Sequence, residues 1–445
     1  MNAGPEATAS RKPVGGLLRT RNFGLFWVGE SVSGFGSAIT TVALPLVAVS
    51  TLHASTGVVA LLTAANWLPW LLLGLPAGAW VDRWPRRRTM LAADLVSAAV
   101  LVAVPIAART GVLTVAALLV AALVCGTSSM FFNLAFNGYL PHLLTSARDR
   151  LEGNGKLQTS ASVAQVAGPG LGGLLAQVAG AVFGLLLDAI TFVVSAACLL
   201  SLRPGPEPKP VRADRPGMFR QIAEGFAVFR QGGFLLPMLA VATMINCGML
   251  GIWALRIVFL LRTDGAAPGT VGALISLSSL GGILGAALAS HTVSRFGSAR
   301  TYLVSNVVTA PFMLLLPASG PGWRLALFAA GSFVVMASAT MSGVITVTFR
   351  GNYIPAHLLG RVTAATGFVV AGTVPLGAAA AGALATALGI RTAMWALAVL
   401  FAVTPLPLLA TSLRHLRDFP VQPRPELERA ASLRTMPRSR GTSDR

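Results

Sequence analysis

The composition of this chain excludes a soluble globular protein. Of its 445 residues, 54% are hydrophobic and only 11% are charged, whereas a soluble domain carries about 25% charged residues. The net charge of +19 would suggest nucleic acid in a soluble protein. Here the basic residues recur as short clusters between apolar stretches, so no nucleic-acid partner is expected. That distribution is typical of a membrane protein whose basic clusters contact anionic lipids of the inner leaflet.

Twelve segments of the sequence are long and apolar enough to cross a bilayer, for which a helix needs about 20 mainly apolar residues. The pattern therefore predicts an all-α membrane protein with twelve transmembrane helices. Their starts are predicted near Phe23, Gly57, Met90, Val112, Leu157, Val182, Phe234, Gly269, Thr301, Trp323, Val362 and Thr392.

The longest internal loop divides the chain into two six-helix bundles. The predicted parts are a cytosolic N-terminal tail over 1–21, bundles over 22–202 and 234–413, a cytosolic linker over 203–233, and a disordered cytosolic tail over 414–445. Within the linker, apolar residues recur at helical spacing, which indicates an amphipathic helix on the inner leaflet; a plain linker is the alternative. These residues are Phe219, Ile222, Phe226 and Phe229.

The distribution of basic residues predicts the orientation. With the N-terminus inside, 29 of the 34 Lys and Arg residues fall on predicted cytosolic segments, as cytosolic loops require. We therefore predict a multi-pass protein with both termini in the cytosol. The 31 Arg against three Lys, with abundant Ala and Gly, indicate a GC-rich bacterial genome and hence a bacterial inner (plasma) membrane.

The two predicted bundles resemble each other in sequence. Residues 81–96 align without a gap to 293–308, and this alignment sets Asp94 opposite Asn306. Parallel repeats of this kind are found in secondary transporters, where the substrate site lies between the halves.

A basic loop follows the second predicted span. It contains Gly78, Asp82, Arg83, Arg86, Arg87 and Arg88, and it resembles the signature loop of the major facilitator superfamily. The resemblance implies a conformational latch in which Asp82 holds the inward ends of the halves together in one state. The alternative is a basic membrane anchor with an incidental acid. The equivalent position of the second half is Ser294, so the latch is expected in the first half alone.

The fifth predicted span carries a glycine-proline motif, formed by Gly168, Pro169, Gly172 and Gly173. Within the superfamily a similar motif marks antiporters, which implies an exporter; ordinary close helix packing is the alternative. The same residues satisfy a GxGxxG dinucleotide pattern, but no strand precedes them. No cofactor is expected.

Charged residues inside spans are costly and usually functional. Glu30 lies in the first span, which lines the pore in the superfamily, so it is the candidate for proton coupling. Its alternatives are a polar contact with a neighbouring helix or a position near the inner headgroups. Asp94 and Asp188 are interpreted as structural, with a secondary part in coupling. Proton-coupled drug antiporters often have an arginine in the fourth span; none lies between Leu123 and Tyr139.

Aromatic and basic side chains in the spans are candidates for lining a substrate cavity. They are Trp67, Trp70, Phe132, Phe136, Trp253 and Arg256. The alternative for the aromatic residues is contact with lipid or with neighbouring helices, and Arg256 has the alternative of reaching towards the outer headgroups.

Together these segments resemble the enterobactin-exporter and macrolide-efflux branch of the superfamily. That resemblance implies a secondary transporter, not an enzyme, which exports a bulky, moderately hydrophobic antibiotic, drug or siderophore by alternating access. Protons are the expected coupling ion, and a monomer is expected. A facilitator or symporter that imports a nutrient is one alternative. A non-transporting membrane sensor or scaffold is the alternative of another class.

Overall fold

A computed structural model describes residues 16–144, 146–203, 226–227, 229 and 235–420, and these residues form helices and connecting turns without a β-strand. The helices are α1 (Arg21–Ser50), α2 (Thr56–Leu72), α3 (Gly74–Val81), α4 (Arg86–Arg109), α5 (Val115–Leu143), α6 (Ala147–Val178), α7 (Ala181–Ser201), α8 (Leu235–Val258), α9 (Pro268–Phe296), α10 (Ser298–Val307), α11 (Leu325–Tyr353), α12 (Ala356–Leu388) and α13 (Ile390–Val403).

The predicted all-α architecture is confirmed. Nine helices of the described residues are long and apolar enough to span a membrane: α1, α4, α5, α7, α8, α9, α11, α12 and α13. The other three predicted spans are helical too, but each is interrupted or partly polar. The second is α2 continued by α3 after a break at Leu73, the fifth is α6, and the ninth is α10 followed by a 3-10 turn over Ala310–Leu315.

Two predicted helix starts are displaced towards the N-terminus. Helix α6 begins at Ala147 instead of near Leu157, because its first turns are helical although they are polar. The Ser146 hydroxyl accepts a hydrogen bond from the backbone N–H of Asp149 (3.0 Å), which satisfies an otherwise free donor at the start of the helix. Helix α12 begins at Ala356 instead of near Val362, directly after Pro355, a residue that suits a helix start.

The helices pack as two six-span halves, α1–α7 and α8–α13. In the first half α7 packs against both α1 and α4, and in the second half α8 and α9 pack against α12 and α11 respectively. The halves meet along two helix pairs, α6 with α9 and α2 with α12.

The two ends of this bundle differ in how their cores are arranged. We call the end where α1 begins and α5 and α11 finish the basic end, and the opposite end the far end. At the far end, one hydrophobic core contains residues of both halves, such as Val47 and Leu255. At the basic end each half has its own core: Phe23 and Met90 belong to one, Tyr302 and Phe349 to the other.

The linker and tail predictions fall only partly on described residues. Phe219 and Ile222, like 1–15 and 421–445, lie outside them. Phe226 is helical, and Phe229 is 3% exposed in the core of the second half, so this ring faces protein and not lipid.

The first residues of the predicted disordered tail are ordered. The Arg417 carbonyl and the Asp418 carboxylate accept hydrogen bonds from the backbone N–H groups that begin α10, which a helix N-terminus otherwise leaves unsatisfied.

Candidate functional site

Three carboxyl groups from different helices meet inside the first half. Glu30 lies on α1, Asp94 on α4 and Asp188 on α7. Asp94 and Asp188 are each 1% exposed. The Asp94 carboxyl group is close enough to those of Glu30 and Asp188 to interact with each electrostatically. Glu30 was predicted as the coupling residue, and Asp94 and Asp188 as structural acids with a secondary part in coupling; the structure places all three in one cluster.

Asp188 is held by hydroxyl groups. The Thr40 hydroxyl of α1 donates to its Oδ2 atom at 2.6 Å, and the Thr191 hydroxyl donates to Oδ1 at 3.0 Å. Gly36 makes this contact possible, since a Cβ atom there would lie 2.3 Å from Asp188 Oδ1. Because buried polar groups are costly unless they are paired, Asp188 is well suited to join α1 to α7.

Glu30 and Asp94 have fewer partners. The Glu30 Oε2 and Asp94 Oδ2 atoms are buried without a hydrogen-bond partner among the described residues. Ser195 of α7 lies beside the Asp94 carboxyl group, and Glu30, Ser195 and Phe132 line one narrow crevice. A buried carboxyl oxygen without a hydrogen-bond partner is costly. A role of this cluster in proton coupling stays a prediction.

The residues of the signature loop contact their own half. The Asp82 carboxylate lies 3.6 Å from the Arg86 guanidinium, and both side chains are accessible to solvent. Arg86 also donates to the Gly138 carbonyl of α5 at 2.6 Å. Arg87 donates to the carbonyls of Leu199 and Leu200 at the C-terminal end of α7, where a helix end favours a cation.

The other loop residues have simpler surroundings. The Gly78 carbonyl accepts the backbone N–H of Asp82, and the Arg83 and Arg88 side chains are exposed. The described contacts of Asp82 lie within the first half. The latch between the halves stays a prediction.

The glycine-proline motif lies against both halves. A Cβ atom at Gly168 or Gly172 would collide with α1, at 2.3 Å from the Ala38 Cβ and 2.9 Å from the Ile39 carbonyl oxygen. Gly173 faces α9 of the second half. Pro169 is buried within α6. The motif is therefore part of the far-end contact between the halves.

The second half contains a cavity that none of the predicted cavity residues lines. It has a volume of about 260 Å³ and lies between α8, α10, α11 and α12 towards the basic end. Its polar lining residues are Asn246, Asn306, Ser342, Thr346, Arg350 and Thr366. The repeat alignment carried the one signal for it, since it pairs Asn306 with the buried Asp94.

The six predicted cavity residues lie elsewhere and form small aromatic groups. Trp67 and Trp70 contact each other with ring centroids 6.5 Å apart, and Phe132 and Phe136 do so at 6.3 Å. The Arg256 guanidinium lies 5.3 Å from the ring centroid of Trp253, and its Nε atom is buried without a partner among the described residues.

No group of three His, Cys, Asp or Glu side chains in the described part of the chain is arranged to hold a metal ion.

Two pseudo-symmetric six-span halves with a shared core at one end and separate cores at the other define a multi-pass membrane transporter that handles a small-molecule substrate. The sequence profile described as "transmembrane secretion effector" matches residues 16–441, and the chain belongs to this family of the major facilitator superfamily. This confirms the resemblance drawn from the signature loop.

Known proteins are similar to the chain over most of its length. The multidrug efflux pump Tap of Mycolicibacterium fortuitum is 28% identical over 404 residues, which cover 88% of this chain and 96% of the pump. Macrolide efflux protein A of Streptococcus pyogenes is 25% identical over 382 residues, which cover 83% of this chain and 90% of that protein. Among solved structures, the nucleoside transporter NupG superimposes with a TM-score of 0.72 at 12% identity, covering 87% of this chain and 98% of NupG. A bacterial homologue of the iron transporter ferroportin, in its inward-facing state, superimposes with a TM-score of 0.70 at 14% identity, covering 87% of this chain and 98% of that protein. The structural likenesses show the fold alone.

Proposed function

We propose that this protein exports bulky, moderately hydrophobic compounds, such as antibiotics, from the bacterial cytosol by alternating access. The similarity to efflux pumps over most of the chain supports this assignment. The placement of the glycine-proline motif at the boundary between the halves supports it too, since close contact there must form and break during a transport cycle.

The arrangement of the three hydrophobic cores is the observation that carries the mechanism. The basic end is the cytosolic end in this proposal, because cytosolic segments hold most of the Lys and Arg residues. With one shared core at the far end and two separate cores at the basic end, the protein is in a state that takes up substrate from the cytosol. Rocking of the halves about their contact then exposes the substrate outside.

We propose protons as the coupling ion and the first-half acids as the place where they bind. Glu30 is the residue through which the proton exchanges, and Asp94 and Asp188 hold the neighbouring helices around it. The working unit is proposed to be a monomer, since one chain contains both six-span halves. Anionic lipids of the inner leaflet contact its basic end.

Efflux from cells tests the proposal. Cells that lack their own major pumps, with and without this protein, are loaded with a macrolide and with an unrelated fluorescent drug. Expression should lower accumulation of at least one compound, and a protonophore should restore it. Raised accumulation would support an importer, and binding without movement across proteoliposomes would support a sensor; either result would contradict export.

A further inference from the structure

The second half contains a cavity with an apolar body and a polar end. Met238, Leu239, Ile245 and Met249 of α8 form much of the apolar wall. The amide groups of Asn246 and Asn306, together with the side chains of Ser342 and Thr366, supply hydrogen-bonding atoms. A cavity of this kind suits an amphiphile better than a compact polar solute.

Arg350 makes the polar end of this cavity positive. Its Nη1 atom donates to the Thr366 hydroxyl at 2.9 Å, and the described residues give it no ion pair. The guanidinium has five N–H donors, and this described hydrogen bond uses one of them. A cation in a partly buried site is costly until an anion neutralises it.

The described acids of the second half, Asp264 and Asp418, pair with arginines other than Arg350. Between residues 235 and 413 the sequence contains one acidic residue, Asp264, and that residue lies at the far end, paired with Arg391 at 2.9 Å. The membrane-embedded acids are in the first half. Among the described residues the charges are therefore separated, with buried carboxyl groups in the first half and, in the cavity of the second, an arginine that forms no ion pair.

We infer that this cavity binds amphiphilic anions, with the negative group on Arg350 and the apolar part along α8. The inference rests on the proposed export function for its biological meaning and narrows the substrate class to compounds that carry a carboxylate, sulfonate, phosphate or phenolate. Arg350 lies three residues before the end of α11 at the basic end, so a ligand reaches it from the cytosol or the inner leaflet. The anion is either an exported compound or a lipid headgroup.

A matched pair of fluorescent probes tests this inference. The anion 8-anilinonaphthalene-1-sulfonate and the neutral N-phenyl-1-naphthylamine share one aromatic framework and differ by the sulfonate. Each is titrated against the purified protein in phosphatidylcholine nanodiscs, with empty nanodiscs subtracted. Arg350→Gln should weaken binding of the anion about tenfold, because a charge-assisted hydrogen bond is lost, and should leave the neutral probe unchanged. Arg350→Lys should retain most of the anion binding.

The control is Arg300→Gln, which removes an exposed arginine at the same end of the molecule, outside the cavity lining. It should leave both probes unchanged. Equal anion affinity in the parent and Arg350→Gln, or an equal loss of both probes, would overturn the inference, and retained binding of the neutral probe shows that the variant is folded. Adding phosphatidylglycerol then distinguishes the sources: competition that depends on Arg350 identifies a lipid headgroup, and its absence rules this headgroup out as the ligand. Equilibrium binding of the probes needs no proton gradient and no transport. A failure of the binding experiment can therefore be distinguished from a failure of the efflux experiment.

Discussion

Gly173 of α6 and Gly272 of α9 face each other across the boundary between the halves, and a Cβ atom at Gly173 would lie 2.9 Å from the Gly272 Cα. Two hydrogen bonds accompany this contact. The Gly170 backbone N–H donates to the Ser276 hydroxyl at 2.9 Å, and the Gly269 backbone N–H donates to the Gln177 side chain at 3.0 Å. The far end is thus closed by backbone-to-backbone packing, which tolerates no side chain at either glycine.

We predict that Gly173→Val opens the far end. Overpacking costs about 1–3 kcal/mol, which is enough to shift a two-state equilibrium strongly. Spin labels at Thr51 and Leu388, exposed at the far ends of the two halves, should move apart in electron-electron distance measurements after the native cysteines are replaced. Gly155→Val in the same helix, where a Cβ atom meets open space, should leave the distance unchanged. An unchanged distance in Gly173→Val would contradict the closed contact.

The latch hypothesis predicts a loss of transport without a loss of stability. Asp82 is exposed, and its pair with Arg86 is of the surface type that contributes less than about 1 kcal/mol. Asp82→Asn should therefore unfold at the parent temperature while transport falls roughly fivefold or more, since coupling free energies are of that size. Asp149→Asn removes another acid at the same end, in the first turn of α6, and should transport normally. Normal transport by Asp82→Asn at equal protein levels would leave only the anchor interpretation.

Glu30 is the residue on which proton coupling is proposed to depend. Glu30→Gln keeps the shape and hydrogen bonding of the side chain and removes its titration. In proteoliposomes it should abolish transport driven by a pH gradient yet preserve substrate binding and gradient-free exchange. Glu152→Gln, at the basic end beside Lys156, should respond to the gradient as the parent does. A normal response of Glu30→Gln would reject this coupling role and direct attention to Asp94 and Asp188.

The hydrogen bond from Thr40 to Asp188 should contribute to stability. Thr40→Val leaves one oxygen of a buried carboxyl group with one donor fewer, which costs about 1–3 kcal/mol and should lower the thermal unfolding temperature. Thr41→Val, at the next residue, removes a hydroxyl that bonds only the Ala38 carbonyl of its own helix on an exposed side chain, and should change stability by less than about 0.5 kcal/mol. Equal unfolding temperatures of the two variants would show that Asp188 does not need this donor.

The predicted orientation is testable without a transport assay. A reporter that is active only in the cytosol, attached after residue 445, should be active, because the basic residues are concentrated at the end where both termini are placed. A matched reporter that is active only outside should be silent in that position and active when inserted between α10 and α11, in the loop around Trp323. A reversed pattern would overturn the orientation.

Most of the helices were predictable because membrane spanning is a local property of composition. The start of α6 was not, since the residues after Ala147 are polar and only the Ser146 cap indicates that they are helical. Boundaries set by capping have a weaker sequence signal than those set by apolar length.

The candidate site was predictable only as separate residues. Glu30, Asp94 and Asp188 stand out as acids inside spans, but their meeting depends on how α1, α4 and α7 pack, and Thr40 and Asp188 are 148 residues apart in sequence. The cavity around Arg350 was not predicted, because an arginine near a span end has the same sequence pattern whether it faces a cavity or the headgroups.

The segment after α13 also has a consequence for shortened versions of the protein. Phe419 is 6% exposed; its ring stacks on Phe349 with centroids 4.5 Å apart and meets Tyr302 at 5.8 Å, and both of these residues line the cavity of the second half. A truncation before Phe419 thus removes an aromatic ring from behind the binding cavity and the backbone cap from the start of α10. Such a truncation therefore changes the packing of the buried core of the second half, and not only its surface.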